Sequence, residues 1–223
     1  MSVVLSSLTP GELEPRLERN PSAPLIPLYC PETERRASPT IVSSSAGTGV
    51  PMPTLPALST TTALIGELLK NSGIATQVGG NIGTPLLSLV ETSTDDGWTV
   101  VELSSFQLET IKDFRPSVAI CLNVTPNHLD RYDGFQDYAA AKHRLFMNQT
   151  ANDVAILNAD DSVTASWAAG LKANVVLFSV TRELDDGLFL RGQDLVCRAN
   201  EKERVLTTRD EIFLRGLHNV ENV

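Results

Sequence analysis

Cysteine is scarce in this chain. The three present in 223 residues, Cys30, Cys121 and Cys197, are odd in number and far apart. That spacing builds neither a disulfide framework nor a metal knuckle, so a reducing, cytoplasmic setting is the expectation. Cys121 sits inside an apolar run and reads as a small core residue. Basic residues are also few, 18 against 27 acidic, for a net charge of −9. Such a balance disfavours nucleic acid and anionic membrane as partners. No apolar run approaches the length needed to span a bilayer, and the start of the chain lacks a basic flank followed by an apolar segment. A complete phosphate loop is missing too. Ahead of Ser59-Thr60-Thr61-Thr62 stand Leu55-Pro56-Ala57-Leu58, without the glycines or the lysine that would cradle phosphates.

Proline is unevenly spread, with ten of thirteen before residue 59. Met1 to Leu58 shows no helical or strand period of useful length, and its prolines and Ser43-Ser44-Ser45 break any element. An irregular, disordered arm over 1–58 is the expectation on composition. From Ser59 the pattern changes. Ala63 to Lys70 predicts an amphipathic helix stopped near Gly73. Ile74 to Val78 predicts a short strand, Gly79 to Pro85 a glycine-rich turn, and Leu86 to Val90 a helix. Trp98–Leu103, Ser117–Val124, Val154–Asn158 and Asn174–Ser179 read as buried strands, and Tyr138–Phe146 as a helix. Strands that are almost wholly apolar and alternate with helices imply a mostly parallel sheet flanked by helices, the α/β class. Gly187 to Leu214 reads as short antiparallel strands at the sheet edge.

Ligands in open α/β sheets gather beyond the carboxyl ends of the strands. Glu102, Asn123, Asn158 and Asp160 fall at such ends. Alone, Glu102 reads as a capping or solvated carboxylate. With Ser104, Ser105 and Gln107 beside it, and His128 after the next strand, a metal–nucleotide site is the better reading, since magnesium takes a few hard oxygen ligands. His128, bracketed by Asn127, Asp130 and Arg131, is assigned a metal or phosphate role over a packing role. Lys142 alone is an ordinary helix lysine, and Ser59-Thr60-Thr61-Thr62 alone is a capped helix start.

Taken together, these runs resemble the Mur ligase family. The matching pieces are Ser59 to Leu64, Gly80 to Pro85, Val101 to Leu108, Asn123 to Tyr132, Ala140-Ala141-Lys142, Asn158 to Asp161 and Gly216 to Asn222. They occur in family order over residues 59–223. The Ser-Ser-Phe-Gln-Leu run resembles the branch that adds D-glutamate, rather than its siblings or the folylpolyglutamate synthases. The resemblance implies the central ATP-binding domain of a P-loop-like fold and an ADP-forming carbon–nitrogen ligase that works through an acyl phosphate. Its substrates would be ATP, D-glutamate and UDP-N-acetylmuramoyl-L-alanine, with Mg2+ as cofactor and a monomer as the working unit. By position, Ser59, Glu102, His128 and a carbamylated Lys142 would serve magnesium and catalysis. Ser59, Thr60 and Thr61 would meet the nucleotide phosphates, Asn219 and Asn222 the adenine, and Asn81, Ser104 and Gln107 the UDP-sugar substrate.

The sequence departs from that family in three places. The first, uridine-holding domain has no visible counterpart in 1–58, most of the phosphate loop is replaced, and the residues given stop at Val223, where the resemblance leads to the expectation of a third domain. One encoding of Thr54–Leu58, ACA TTA CCG GCA CTA, regroups to ATT ACC GGC ACT A, or Ile-Thr-Gly-Thr and the first base of an Asn codon. An out-of-frame reading ahead of Ser59 is therefore compatible with the residues, and the chain alone is expected to be inactive, a nucleotide-binding remnant or interaction protein being the alternative. No apolar segment replaces the family's strand before the phosphate loop, so an exposed slot in the sheet is expected.

Overall fold

The computed structural model describes residues 2–6, 57–81, 83–94, 96–126, 130–212 and 220–221, with side chains from Thr61 onward. One nine-stranded sheet runs in the order β2-β3-β1-β4-β5-β6-β7-β8-β9. Its strands are Ser2–Ser6 (β1), Thr76–Gly80 (β2), Trp98–Glu102 (β3), Val118–Cys121 (β4), Val154–Asn158 (β5), Asn174–Ser179 (β6), Gly187–Arg191 (β7), Asp194–Ala199 (β8) and Lys202–Thr208 (β9). The helices are Ala57–Asn71 (α1), Leu86–Val90 (α2), Ser105–Glu109 (α3), Phe135–His143 (α4) and Ser162–Trp167 (α5). Strands β2 to β7 all point one way, and β7, β8 and β9 finish the edge as an antiparallel meander. Every residue of β3 and β4 is buried, which is why both read as unbroken apolar runs.

Helices cover both faces. On one side Ile65 and Leu69 of α1, with Ile74, pack on Val100, Ile120 and Phe178. Gly66 lies in the middle of α1 because a Cβ there would collide with the Val78 side chain, so the helix comes down close on β2. On the other side Leu108 of α3, Tyr138 and Ala139 of α4, and Leu145 close over Val101, Ala119 and Leu157. Leu108, Leu145 and Leu157 are fully enclosed, each contributing about 2 kcal/mol of hydrophobic stabilisation. At the amino edge, Arg115 donates two bonds to Asp153, at 2.8 and 3.0 Å, tying the approach of β4 to that of β5. Burial would raise the Asp153 carboxyl, but the bonds from Arg115 and Thr150 outweigh it and hold it low.

The expected empty slot is filled. Within the stretch read as wholly irregular, Ser2–Ser6 form β1, which lies between β3 and β4 and runs antiparallel to both. Ser-Val-Val-Leu-Ser is β-branched and apolar enough to complete a buried sheet. Residues 7–56, including Ile41-Val42, lie outside the described residues. Helix α1 also begins earlier than its periodicity suggested, at Ala57, so Ser59 falls inside the first turn and does not cap it.

Candidate functional site

The carboxyl end of β3 brings chemistry together. Glu102 is its last residue and only 5% exposed. Glycine-rich backbone makes room beside it: Gly80, at φ 108°, ends β2 where a Cβ would strike the Glu102 carbonyl. The next residue, Asn81, donates its backbone N–H to Glu102 O at 2.8 Å and its side-chain amide to Glu102 Oε1 at 3.3 Å. Among the described residues Glu102 Oε2 is enclosed with no hydrogen-bond partner. Burial pushes the Glu102 carboxyl above its ordinary range, against the pull of the Asn81 bond and the Lys142 charge.

Lys142 reaches the same region from α4. It is 6% exposed. Its ammonium stands 5.3 Å from the ring centroid of Tyr138, one helical turn back. Sequence reasoning passed over Tyr138, although its i, i+4 spacing from Lys142 was the available signal. Thr62 on α1, named in its run but given no role there, is completely buried with a hydroxyl that has no partner among the described residues.

Ser104 and Gln107 are engaged with each other. Ser104 caps α3 by accepting from Gln107 N at 3.3 Å, and Gln107 Oε1 accepts from Ser104 N at 2.9 Å and Ser104 Oγ at 3.1 Å. The Gln107 amide nitrogen has no partner among the described residues. Behind this cap Phe106 stacks on Tyr132 at 6.2 Å, and Arg131 lies 4.3 Å over Phe106 while donating to Glu109 at 3.1 Å. A shallow cavity of about 320 Å³ opens there, lined by Glu109, Arg131, Tyr132, Asp133 and Asp137.

Two further groups noted at strand ends, Asn158 and Asp160, are engaged in hydrogen bonds that shape the local turns. Asn158 Oδ1 accepts from Asp160 N at 2.8 Å. Asp160 accepts from Ser179 Oγ (2.7 Å), Val180 N (2.8 Å), Thr181 N (3.1 Å) and Thr181 Oγ1 (2.6 Å), binding the turn after β6. Burial would raise the Asp160 carboxyl, but these donors prevail and lower it. Short hydroxyl and backbone donors consumed its lone pairs, which no reading of β5 alone reveals.

His128, Asn219 and Asn222 lie outside the described residues. Ser59 and Thr60 are placed by backbone only, in the first turn of α1, and Thr61 is buried on the next. Among the described residues no three His, Cys, Asp or Glu side chains converge as a metal-holding set. The orphaned Glu102 Oε2 nevertheless fits one oxygen ligand of a hard cation. Helix α1 returns to parallel β2 through a short turn, so it runs against the strands and opens at their carboxyl edge. Strand β1 ends at the opposite edge, Ser6 level with Thr99. It therefore cannot lead directly into α1 as the strand–loop–helix of an anion cradle does.

A parallel-centred α/β sheet with its charged and amide groups at the carboxyl edge, beside a helix opening in hydroxyl residues, is the layout of a nucleotide-binding domain. Residues 59–223 match the Mur ligase middle domain, and the chain belongs to that family. Over 165 residues it is 50% identical to a UDP-N-acetylmuramoylalanine–D-glutamate ligase of Solibacter usitatus, and 48% identical to that of Koribacter versatilis. In both cases 74% of this chain aligns with 36% of the relative, so the chain spans about a third of their length. Among solved structures, the UDP-N-acetylmuramoylalanyl-D-glutamyl-2,6-diaminopimelate–D-alanyl-D-alanyl ligase of Acinetobacter baumannii superposes with a TM-score of 0.54 at 17% identity, covering 75% of this chain and 38% of that one. A Thermotoga maritima MurF ligase in complex with ADP gives 0.50 at 19% identity, over 74% and 40%. These show the same fold, the mostly parallel sheet with flanking helices expected from the sequence.

Proposed function

We propose that this chain carries the central domain of an ATP-dependent ligase that joins D-glutamate to UDP-N-acetylmuramoyl-L-alanine in peptidoglycan synthesis, and that these residues alone do not turn over. The observation that carries the reading is Glu102, a buried carboxylate with one oxygen unpartnered among the described residues and within reach of the charge of the buried Lys142, in a domain half identical to ligases of that name. In the reaction the substrate carboxylate is phosphorylated by ATP, the D-glutamate amine attacks the acyl phosphate, and phosphate leaves. Bound magnesium would neutralise phosphate charge. Glu102 would hold it, together with the Ser59 hydroxyl, His128 and Lys142 carrying a carbamate, which converts an ammonium into an anionic oxygen ligand. Asn81 fixes the Glu102 carboxylate through Oε1 and leaves Oε2 for the ion. The spare amide nitrogen of Gln107 suits a phosphate oxygen of the UDP-sugar, and the Ser104 hydroxyl would join it by giving up its bond to Gln107 Oε1. Thr60 and Thr61 would contact the nucleotide phosphates, and Asn219 and Asn222 the adenine.

A non-catalytic nucleotide-binding remnant is the second reading, and the reversed direction of β1 favours it over turnover by the isolated chain. The test is ADP release from the full chain with all three substrates and magnesium, beside a nucleotide-binding titration. Saturable, magnesium-dependent binding without ADP release is the expected result. Steady ADP release that requires D-glutamate would overturn the claim of inactivity, and no binding at any magnesium concentration would overturn the assignment of the site.

A further inference from the structure

We infer that the slot between β3 and β4 is a strand-accepting site, and that residues 2–6 of a second copy of this chain can fill it in place of the chain's own. The inference stands apart from the ligase reading, since it uses only the topology. Strands β3 and β4 are joined through β1: Val3 lies level with both Glu102 and Ile120, and Val4 with Val101 and Ala119. Without β1 both strands would present unpaired backbone edges inside the most buried part of the sheet, so some extended apolar segment must occupy the gap.

What occupies it is joined to α1 by a long stretch of sequence. About 50 residues separate Ser6 from Ala57, a contour of roughly 160 Å when extended. A neighbouring molecule's residues 2–6 offer the same sequence and hydrogen bonds. Reciprocal exchange conserves every backbone bond, so the balance between closed monomer and exchanged dimer is set by protein concentration at the moment of folding.

Directly opposed residues in an antiparallel pair have Cα separations that a disulfide can bridge. The test uses the full chain with Val4→Cys, Ala119→Cys, or both. The two single variants are unfolded together, refolded at rising concentration and oxidised, and the linkage is read by peptide mass spectrometry and light scattering. The expected result is a 4–119 disulfide between chains, on a dimer, whose yield rises with concentration, while the double variant refolded dilute links within one chain. If the double variant links internally at every concentration and the mixture never links, the slot is private to its own chain and the inference fails. A double variant that forms no 4–119 link in any state also overturns it, because β1 is then not seated as an exchangeable strand.

Discussion

Burying a carboxylate with one oxygen unmatched costs stability, and Glu102 carries that cost at the end of β3. Its folded-state proton affinity is raised by burial, so ionisation above that range works against folding. Glu102→Gln removes the charge while keeping the amide-sized side chain. We expect it to leave the fold intact or stabilise it by about 1 kcal/mol, as read by urea denaturation, while abolishing magnesium-dependent nucleotide binding. His143 offers a pH test of the opposite kind. Its ring packs edge-on to Trp167 at 5.0 Å, and burial pushes the imidazole below its ordinary value of 6.5. The folded state therefore prefers the neutral ring. The stability this contributes is full above the unfolded value and lost as pH falls below it. The urea midpoint should drop between pH 7.5 and 5.5, and that part of the drop should vanish in His143→Phe.

At the scale of single elements, caps and turns decide as much as apolar surface. Asp161 accepts from Val163 N at 3.1 Å and Thr164 N at 2.9 Å to start α5, and its other oxygen accepts from Val124 N at 3.2 Å just past β4. Asp161→Ala should cost about 2 kcal/mol, a cap together with an inter-element bond, measurable as a lower urea midpoint at unchanged slope. The strands Trp98–Glu102 and Val118–Cys121 were legible because strands buried on both faces are nearly continuous apolar runs, and Val154–Asn158 and Asn174–Ser179, though only partly buried, carry runs of the same kind. Helix α3 was not read; its readable sign was the Ser104-to-Gln107 capping box. Glu102 could be located from its own strand end, but Lys142, by itself an ordinary helix lysine, was joined to it only through the family resemblance, since their proximity is written in no local run. It depends on α4 lying over the sheet from forty positions further along. The partners of Asp160 were not legible from its own run, because the donors that occupy it come from the far side of β6.

For the molecule as a whole, β1 is the join between the β2–β3 half and the β4–β9 half. Val4→Pro removes a backbone donor from the middle of the sheet. It should lower stability by at least about 2 kcal/mol, and the loss should register equally at Trp98 and Trp167 fluorescence-sensitive surroundings if the halves unfold together. The same strand sets the order in which the molecule comes together. Its partners on β3 and β4 lie roughly a hundred positions away along the chain, whereas β4, β5 and β6 meet neighbours a few tens of positions off. Closing the longest loops is entropically the most expensive step and is deferred until local structure rewards it. In pulsed hydrogen-exchange refolding, the β5 and β6 amides are therefore expected to gain protection first. Those of Val100 and Ala119 should follow in a slower phase, making the centre of this sheet the last part to close.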